Sequence, residues 1–170
     1  MSDLLDFQVA GLPAHVLLVH AVVIGVPVFA LLLILIAAWP AARRVLWLPA
    51  LIGSILLLGL VLVTVSAGEW LADRVPETPL IEAHTDQGDD LTPWIVGMVA
   101  VAAFIGVVAL LARRQGPGRR RPAVAVLAAL SIVAAVVVGV GSVWTVVLIG
   151  EAGSRAVWEG SFSEDPLEER

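Results

Sequence analysis

Four long stretches of the chain carry no Asp, Glu, Lys or Arg: residues 7–42, 45–68, 91–112 and 122–150. Each exceeds the roughly 20 residues that an α-helix needs to cross the hydrocarbon core of a bilayer. Charged positions gather between these stretches and do not recur inside them, so none reads as a half-solvated amphipathic helix or an alternating strand. The pattern predicts four membrane-spanning helices over about 13–38, 45–70, 91–112 and 122–150, the last continuing beyond Gly150. Packed together they form an all-α integral membrane four-helix bundle spanning residues 11–158, with an acidic leader over 1–10 and a polar acidic tail over 159–170 that lacks any packing pattern. Pro13 suits a first helical turn, Pro27 should kink the middle of the first span, and Thr78-Pro79 signals a further turn or two of helix over 79–88 that carries His84 toward the third span. Ser131, Ala135 and Gly139, four apart, form a small-residue face that lets a neighbouring helix approach closely.

Composition turns this reading from a preference into an exclusion. Of 170 residues 59% are hydrophobic and 15% charged, and the mean hydropathy is +0.98; a soluble globular domain does not have these proportions. Cysteine is absent, which excludes disulfides, iron–sulfur clusters and covalently attached haem but leaves a haem held by histidine open. The start Met-Ser-Asp-Leu-Leu-Asp lacks the basic region of a signal peptide, so the first span is expected to stay in the mature protein. No nucleotide-binding glycine loop, nucleophile motif or zinc-protease helix marks an enzyme.

Charge placement predicts topology. Arg43 and Arg44 lie in one connection, and Arg113, Arg114, Arg119, Arg120 and Arg121 in another; only Arg74, Arg155 and Arg170 lie elsewhere, and every acid falls on the opposite side. The positive-inside rule puts both arginine connections in the cytoplasm and both termini outside, in an up-down-up-down arrangement across the cell's inner membrane. Trp39 and Trp47 then mark the inner interface, and Trp70, Trp94 and Trp158 the outer one. The run Arg113 to Arg121 is explained by topology and anionic headgroups, so the lipid bilayer is the expected partner and nucleic acid is not.

The candidate chemistry lies at one depth. At 1.5 Å per residue His15 stands about 42 Å and His20 about 34 Å above Arg43, Glu69 about 37 Å above Arg44, His84 about 43 Å above Arg113, and Glu151 about 45 Å above Arg121. All five therefore share a slab at the outer interface. Imidazoles and carboxylates at one level of a bundle can hold a transition metal, with His20, His84, Glu69 and Glu151 as ligands; two of His15, His20 and His84 could instead ligate a haem b axially. His15 and His20 are about 140° apart around one helix and cannot share an ion. His20, a turn deeper, is the sharper candidate for a buried partner. Glu151 and Arg155, four apart, are placed to pair, and Glu69 is placed to pair with Arg74. The series His15, Arg43-Arg44, Gly68-Glu69 also runs parallel to His84, Arg113-Arg114, Gly150-Glu151, which hints at two repeated hairpins and would make His15 and His84 equivalent.

Four motifs occur together: Gly11-Leu-Pro-Ala-His15-Val-Leu-Leu-Val-His20, Ser66-Ala-Gly-Glu69-Trp70, Glu82-Ala-His84-Thr-Asp-Gln-Gly88-Asp89 and Gly150-Glu-Ala-Gly153-Ser-Arg-Ala-Val-Trp158. In this order, over residues 11 to 158, the chain resembles the family called domain of unknown function 2231, small four-helix bacterial membrane proteins with no assigned activity. Some members of that family are joined to cytochrome c-like domains, so the resemblance implies haem or electron-transport company. Many carry a histidine where this chain has Glu151, a departure that counts against a four-histidine, two-haem arrangement. Three functions follow as expectations: a redox or metal-binding subunit, a structural or interaction subunit of a membrane complex, and a transport or proton-relay component. The deep polar residues are only Ser and Thr, such as Ser54, Thr64, Ser131 and Thr145, so the third lacks a continuous polar path.

Overall fold

The computed structural model describes residues 7–114 and 122–163. The leader expected over 1–10 therefore falls partly outside the described residues, as do the tail beyond residue 163 and most of the second arginine connection. A two-stranded antiparallel hairpin, β1 (Gln8–Val9) and β2 (Leu12–Pro13), precedes α1 (Ala14–Ala38); then follow α2 (Pro40–Ala72), α3 (Pro79–Gly88), α4 (Leu91–Arg113) and α5 (Pro122–Trp158). Four stretches are long and apolar enough to cross a membrane: Ala14–Ala38, Pro40–Ala72, Pro79–Arg113 and Pro122–Trp158. The chain is a multi-pass membrane protein. Its outward faces, with Ile24, Val28, Leu56 and Val140 exposed, are apolar and suited to lipid contact.

The start of α2 and a hairpin before α1 differ from what the pattern predicts, while α5 continues beyond Gly150 as expected, each for a local reason. α2 starts at Pro40, not near residue 45, because Trp39 alone leaves the helical conformation and Pro40 takes the first position, where no N–H is needed. Arg43 and Arg44 thus lie in a first helical turn; Arg43 is buried and donates from Nη1 to the Ala37 carbonyl (2.9 Å). α5 runs to Trp158, since nothing after Gly150 stops it and the Arg155 Nη2 to Glu151 Oε1 pair (2.7 Å) braces the added turns. Before α1, Ala10 and Gly11 both take positive φ, at 52° and 79°, closing a two-residue hairpin turn that an Ala-Gly sequence does not advertise. Phe7 then packs edge-on against Trp70 near the end of α2, with centroids 6.5 Å apart.

Each of α1 and α4 packs against both α2 and α5. The start of α1 lies beside the end of α2, through His15 and Thr64, and α3 lies beside the end of α5, through His84 and Ile149. At the far end of the bundle Arg113 Nη2 donates to the Arg44 carbonyl. The core is apolar, centred on Val26, Leu33, Ile36, Ile95, Met98 and Ile105. Four buried hydroxyls are satisfied within their own helices: Ser54, Thr64, Ser131 and Ser142 donate to the carbonyls of Leu51, Leu60, Ala128 and Val138, the usual resolution for Ser and Thr within membrane helices. Small residues set the closest approach. A Cβ on Gly139 would lie 3.3 Å from the Cβ of Ala30, so α1 and α5 meet along the Ser131, Ala135, Gly139 face.

Burial reveals a shared register between the two halves. Val22, Val26, Leu33 and Ile36 of α1 are buried, and so are Leu91, Ile95, Ala102 and Ile105, each 69 residues further on. Ala50, Ser54, Leu57 and Val61 of α2 match Ala135, Gly139, Ser142 and Val146 of α5, each 85 residues on. This corrects the correspondence drawn from Gly68-Glu69 and Gly150-Glu151. The buried stripe, which fixes how a helix faces its neighbours, aligns Gly68 with Gly153 and leaves Glu69 opposite Ser154.

Candidate functional site

The site is assembled from the two ends that this register aligns. His15 lies in the first turn of α1, where the hairpin and Pro13 deliver the chain, and its Nδ1–H donates to the carbonyl of Thr64 on α2 (2.9 Å). His84 lies on α3, a helix begun by Pro79 and capped by Thr78, whose side chain accepts from the Ile81 N–H; its Nδ1–H donates to the carbonyl of Ile149 on α5 (3.2 Å). A carbonyl only accepts, so each Nδ1 carries a proton, and a singly protonated ring then keeps its lone pair on Nε2. Both rings are half-buried, their centroids lie 6.2 Å apart and their planes meet at 75°.

Each ring also lies on a glycine one turn beyond the carbonyl that anchors it. A Cβ on Gly68 would stand 2.9 Å from His15 Nδ1, and a Cβ on Gly153 would stand 2.9 Å from His84 Cε1. Any side chain at either place would push the imidazole away. Two histidines are thus held by the same three-part seat: a carbonyl on the neighbouring helix, a glycine four residues later and the opposite imidazole.

The other sequence candidates do not join them. His20 is exposed and bonds from Nδ1 to the Val16 carbonyl of its own helix (2.7 Å). Its greater depth along the chain made it the sharper candidate, but depth does not decide which face of an all-apolar helix turns inward. Glu151 is exposed and paired with Arg155, and Glu69 is exposed. Arg74, expected beside Glu69, instead stacks over the Trp70 ring at 4.0 Å and donates to the Trp70 carbonyl (2.8 Å). Among the described residues no three His, Asp or Glu side chains converge as a metal-binding group, so the four-ligand set His20, His84, Glu69 and Glu151 is not assembled. What sequence reasoning missed were backbone atoms, the Thr64 and Ile149 carbonyls, which no residue identity encodes. Gly68 and Gly153 were visible within their motifs but not as supports.

Two clefts lie along the bundle, and neither ring lines them. One, of about 810 Å³ between α3–α4 and α5, is lined by Gln87, Asp90, Trp94, Thr145 and Arg155 among others. The other, of about 360 Å³, is an apolar groove between α1 and α5 around Pro27, Gly139 and Trp144.

Fold and site together define a membrane-spanning helix bundle with a paired-imidazole seat. No family model, curated protein or solved structure matches the chain.

Proposed function

We propose that this protein is a metal-binding subunit of the cell's inner membrane, in which His15 and His84 hold a transition-metal ion between the two halves of an up-down-up-down four-helix bundle. The observation that carries the reading is the matched pair of anchored rings. Metal-ligating histidines characteristically donate their second ring N–H to a carbonyl or carboxylate, which fixes the tautomer and aims the remaining nitrogen. Here both rings do so, on elements from different halves, which leaves each Nε2 available to a ligand.

The orientation is part of the proposal. Arg43, Arg44, Arg113 and Arg114 gather at one end, which the positive-inside rule assigns to the cytoplasm; the seat and both termini then lie at the outer face. Membership of the domain of unknown function 2231 family is proposed on the same motif order. Three of its four motifs supply His15, Gly68 and His84, and the fourth supplies Gly153.

A haem b fits less well than an ion. Two neutral imidazoles suffice as its axial ligands, but the macrocycle needs a broad slot across the line joining the rings. Neither ring lines either of the two clefts described. An ion would supply Lewis acidity or a redox centre; the chain's own part is to orient both rings and to surround them with apolar helix. The test is elemental analysis together with an absorbance spectrum of the purified protein. Stoichiometric metal that is lost in His15→Ala and in His84→Ala is the expected result. A preparation with neither metal nor a Soret band, even after incubation with metal salts and with haem, would leave only the structural-subunit reading standing.

A further inference from the structure

The donor set is narrower than that of most biological metal sites, and this narrowness identifies the ion. We propose that His15 and His84 bind monovalent copper as a two-coordinate bis-imidazole site; the inference rests on the metal-binding reading above and names its ion.

Zinc takes four ligands in structural sites and three protein ligands with water in catalytic ones, and non-haem iron(II) takes two histidines with a carboxylate. Calcium and magnesium require oxygen ligands. Among the described residues, neither a third imidazole nor a carboxylate joins His15 and His84, and the chain has no cysteine. A site with two neutral nitrogen donors suits an ion content with coordination number two, which among biological metals is the d¹⁰ copper(I) ion.

Geometry and charge agree. Two imidazoles opposed across one ion, each nitrogen about 2 Å from it, place their ring centroids about 6 Å apart; the observed separation is 6.2 Å. Both rings are half-buried, and the nearby ion pair of Glu151 with Arg155 is exposed. The cost of desolvating an ion rises with the square of its charge, so a half-buried seat with two neutral donors and no carboxylate favours a monovalent ion over a divalent one. Binding through Nε2 leaves both Nδ1–H donors on their carbonyls. The same anchors oppose the four-ligand tetragonal arrangement that copper(II) prefers. The seat therefore holds the reduced ion and serves to bind and hand on copper(I), without cycling it between oxidation states.

The test titrates the purified full chain, in detergent and under anaerobic reducing conditions, with copper(I) against a chromophoric chelator. Parallel arms use zinc(II), iron(II) and haem b, and the copper-loaded sample is examined by X-ray absorption. The proposal expects one copper(I) per chain, the intense edge feature of a two-coordinate ion with two nitrogen neighbours, loss of stoichiometric binding in His15→Ala and in His84→Ala, and unchanged binding in His20→Ala. The absorption spectrum comes from the unaltered protein, so a variant that fails to fold does not remove the test. Copper with three or four neighbours, or copper retained in His84→Ala, would overturn the proposal. Zinc, iron or haem bound in place of copper would also overturn it while leaving the metal- or cofactor-binding reading intact. No binding in any arm would remove both.

Discussion

The two hairpins, α1–α2 and α3/α4–α5, reach the same imidazole seat by different routes. In the first, His15 belongs to the spanning helix itself, and a β-hairpin braced by Phe7 on Trp70 sets where that helix begins. In the second, His84 lies on a separate ten-residue helix with its own Thr78 cap, and residues 89–90 interrupt the path to α4. Yet seven residues separate His15 from Val22 and His84 from Leu91, and all four occupy corresponding places. What the halves share is the distance from ring to core, the anchoring carbonyl and the glycine. What they do not share is the device that starts the helix. The seat is therefore the constrained feature, and helix initiation is free to vary around it.

The largest effects are expected in the core. Ile36 and Ile105 are equivalent and buried. Replacing either by Ala should cost about 2–5 kcal/mol, since a cavity is left that packed helices only partly fill. Thermal unfolding in detergent should show similar losses for Ile36→Ala and Ile105→Ala, and a large loss in one with none in the other would contradict the shared register. Next come the glycines. Gly68→Ala and Gly153→Ala each place a Cβ against a ring at about the same distance, and each should destabilise the protein by about 1–3 kcal/mol through overpacking. Metal affinity should fall in both. If only one of the two variants lost affinity, the seats would not be equivalent.

Smaller effects sharpen the difference between the halves. Thr78→Ala removes the cap of α3 and should cost about 1 kcal/mol. Hydrogen exchange should rise over Pro79–Gly88 while α1 keeps its protection, because α1 starts from the β-hairpin and has no side-chain cap to lose. Smallest of all, Glu151→Gln weakens an exposed pair of four-residue spacing and should change stability by no more than about 0.5 kcal/mol. Metal content should be unaltered. Loss of metal in Glu151→Gln would restore the carboxylate to the site.

How much of this was legible in the sequence follows from what a sequence can encode. Span number and approximate limits were readable because length and absence of charge are the physical requirement itself. The α3 helix was readable from Thr78-Pro79, and the Glu151–Arg155 pair from its spacing. The inward choice between His15 and His20 was not, because α1 is apolar all round and carries no periodicity to say which face turns to protein. The seat depends on the Thr64 and Ile149 carbonyls, and every residue has a carbonyl. The hairpin over 8–13 was hidden because Ala-Gly lacks the Asn or Asp that usually marks such a turn. The repeat was visible in outline, but its register followed a chance Gly-Glu match until burial supplied the correct one.

The central claim is that His15 and His84 are neutral rings, protonated on Nδ1, with Nε2 nitrogens that share one ion. Nitrogen-15 NMR of histidine-labelled protein tests it most directly, with silver(I) as a spectroscopically quiet stand-in for copper(I). Nδ1-protonated tautomers for His15 and His84, with both Nε2 signals shifted by one equivalent of silver and His20 unchanged, is the predicted result. Nε2-protonated rings, or a silver response at His20 alone, would contradict it.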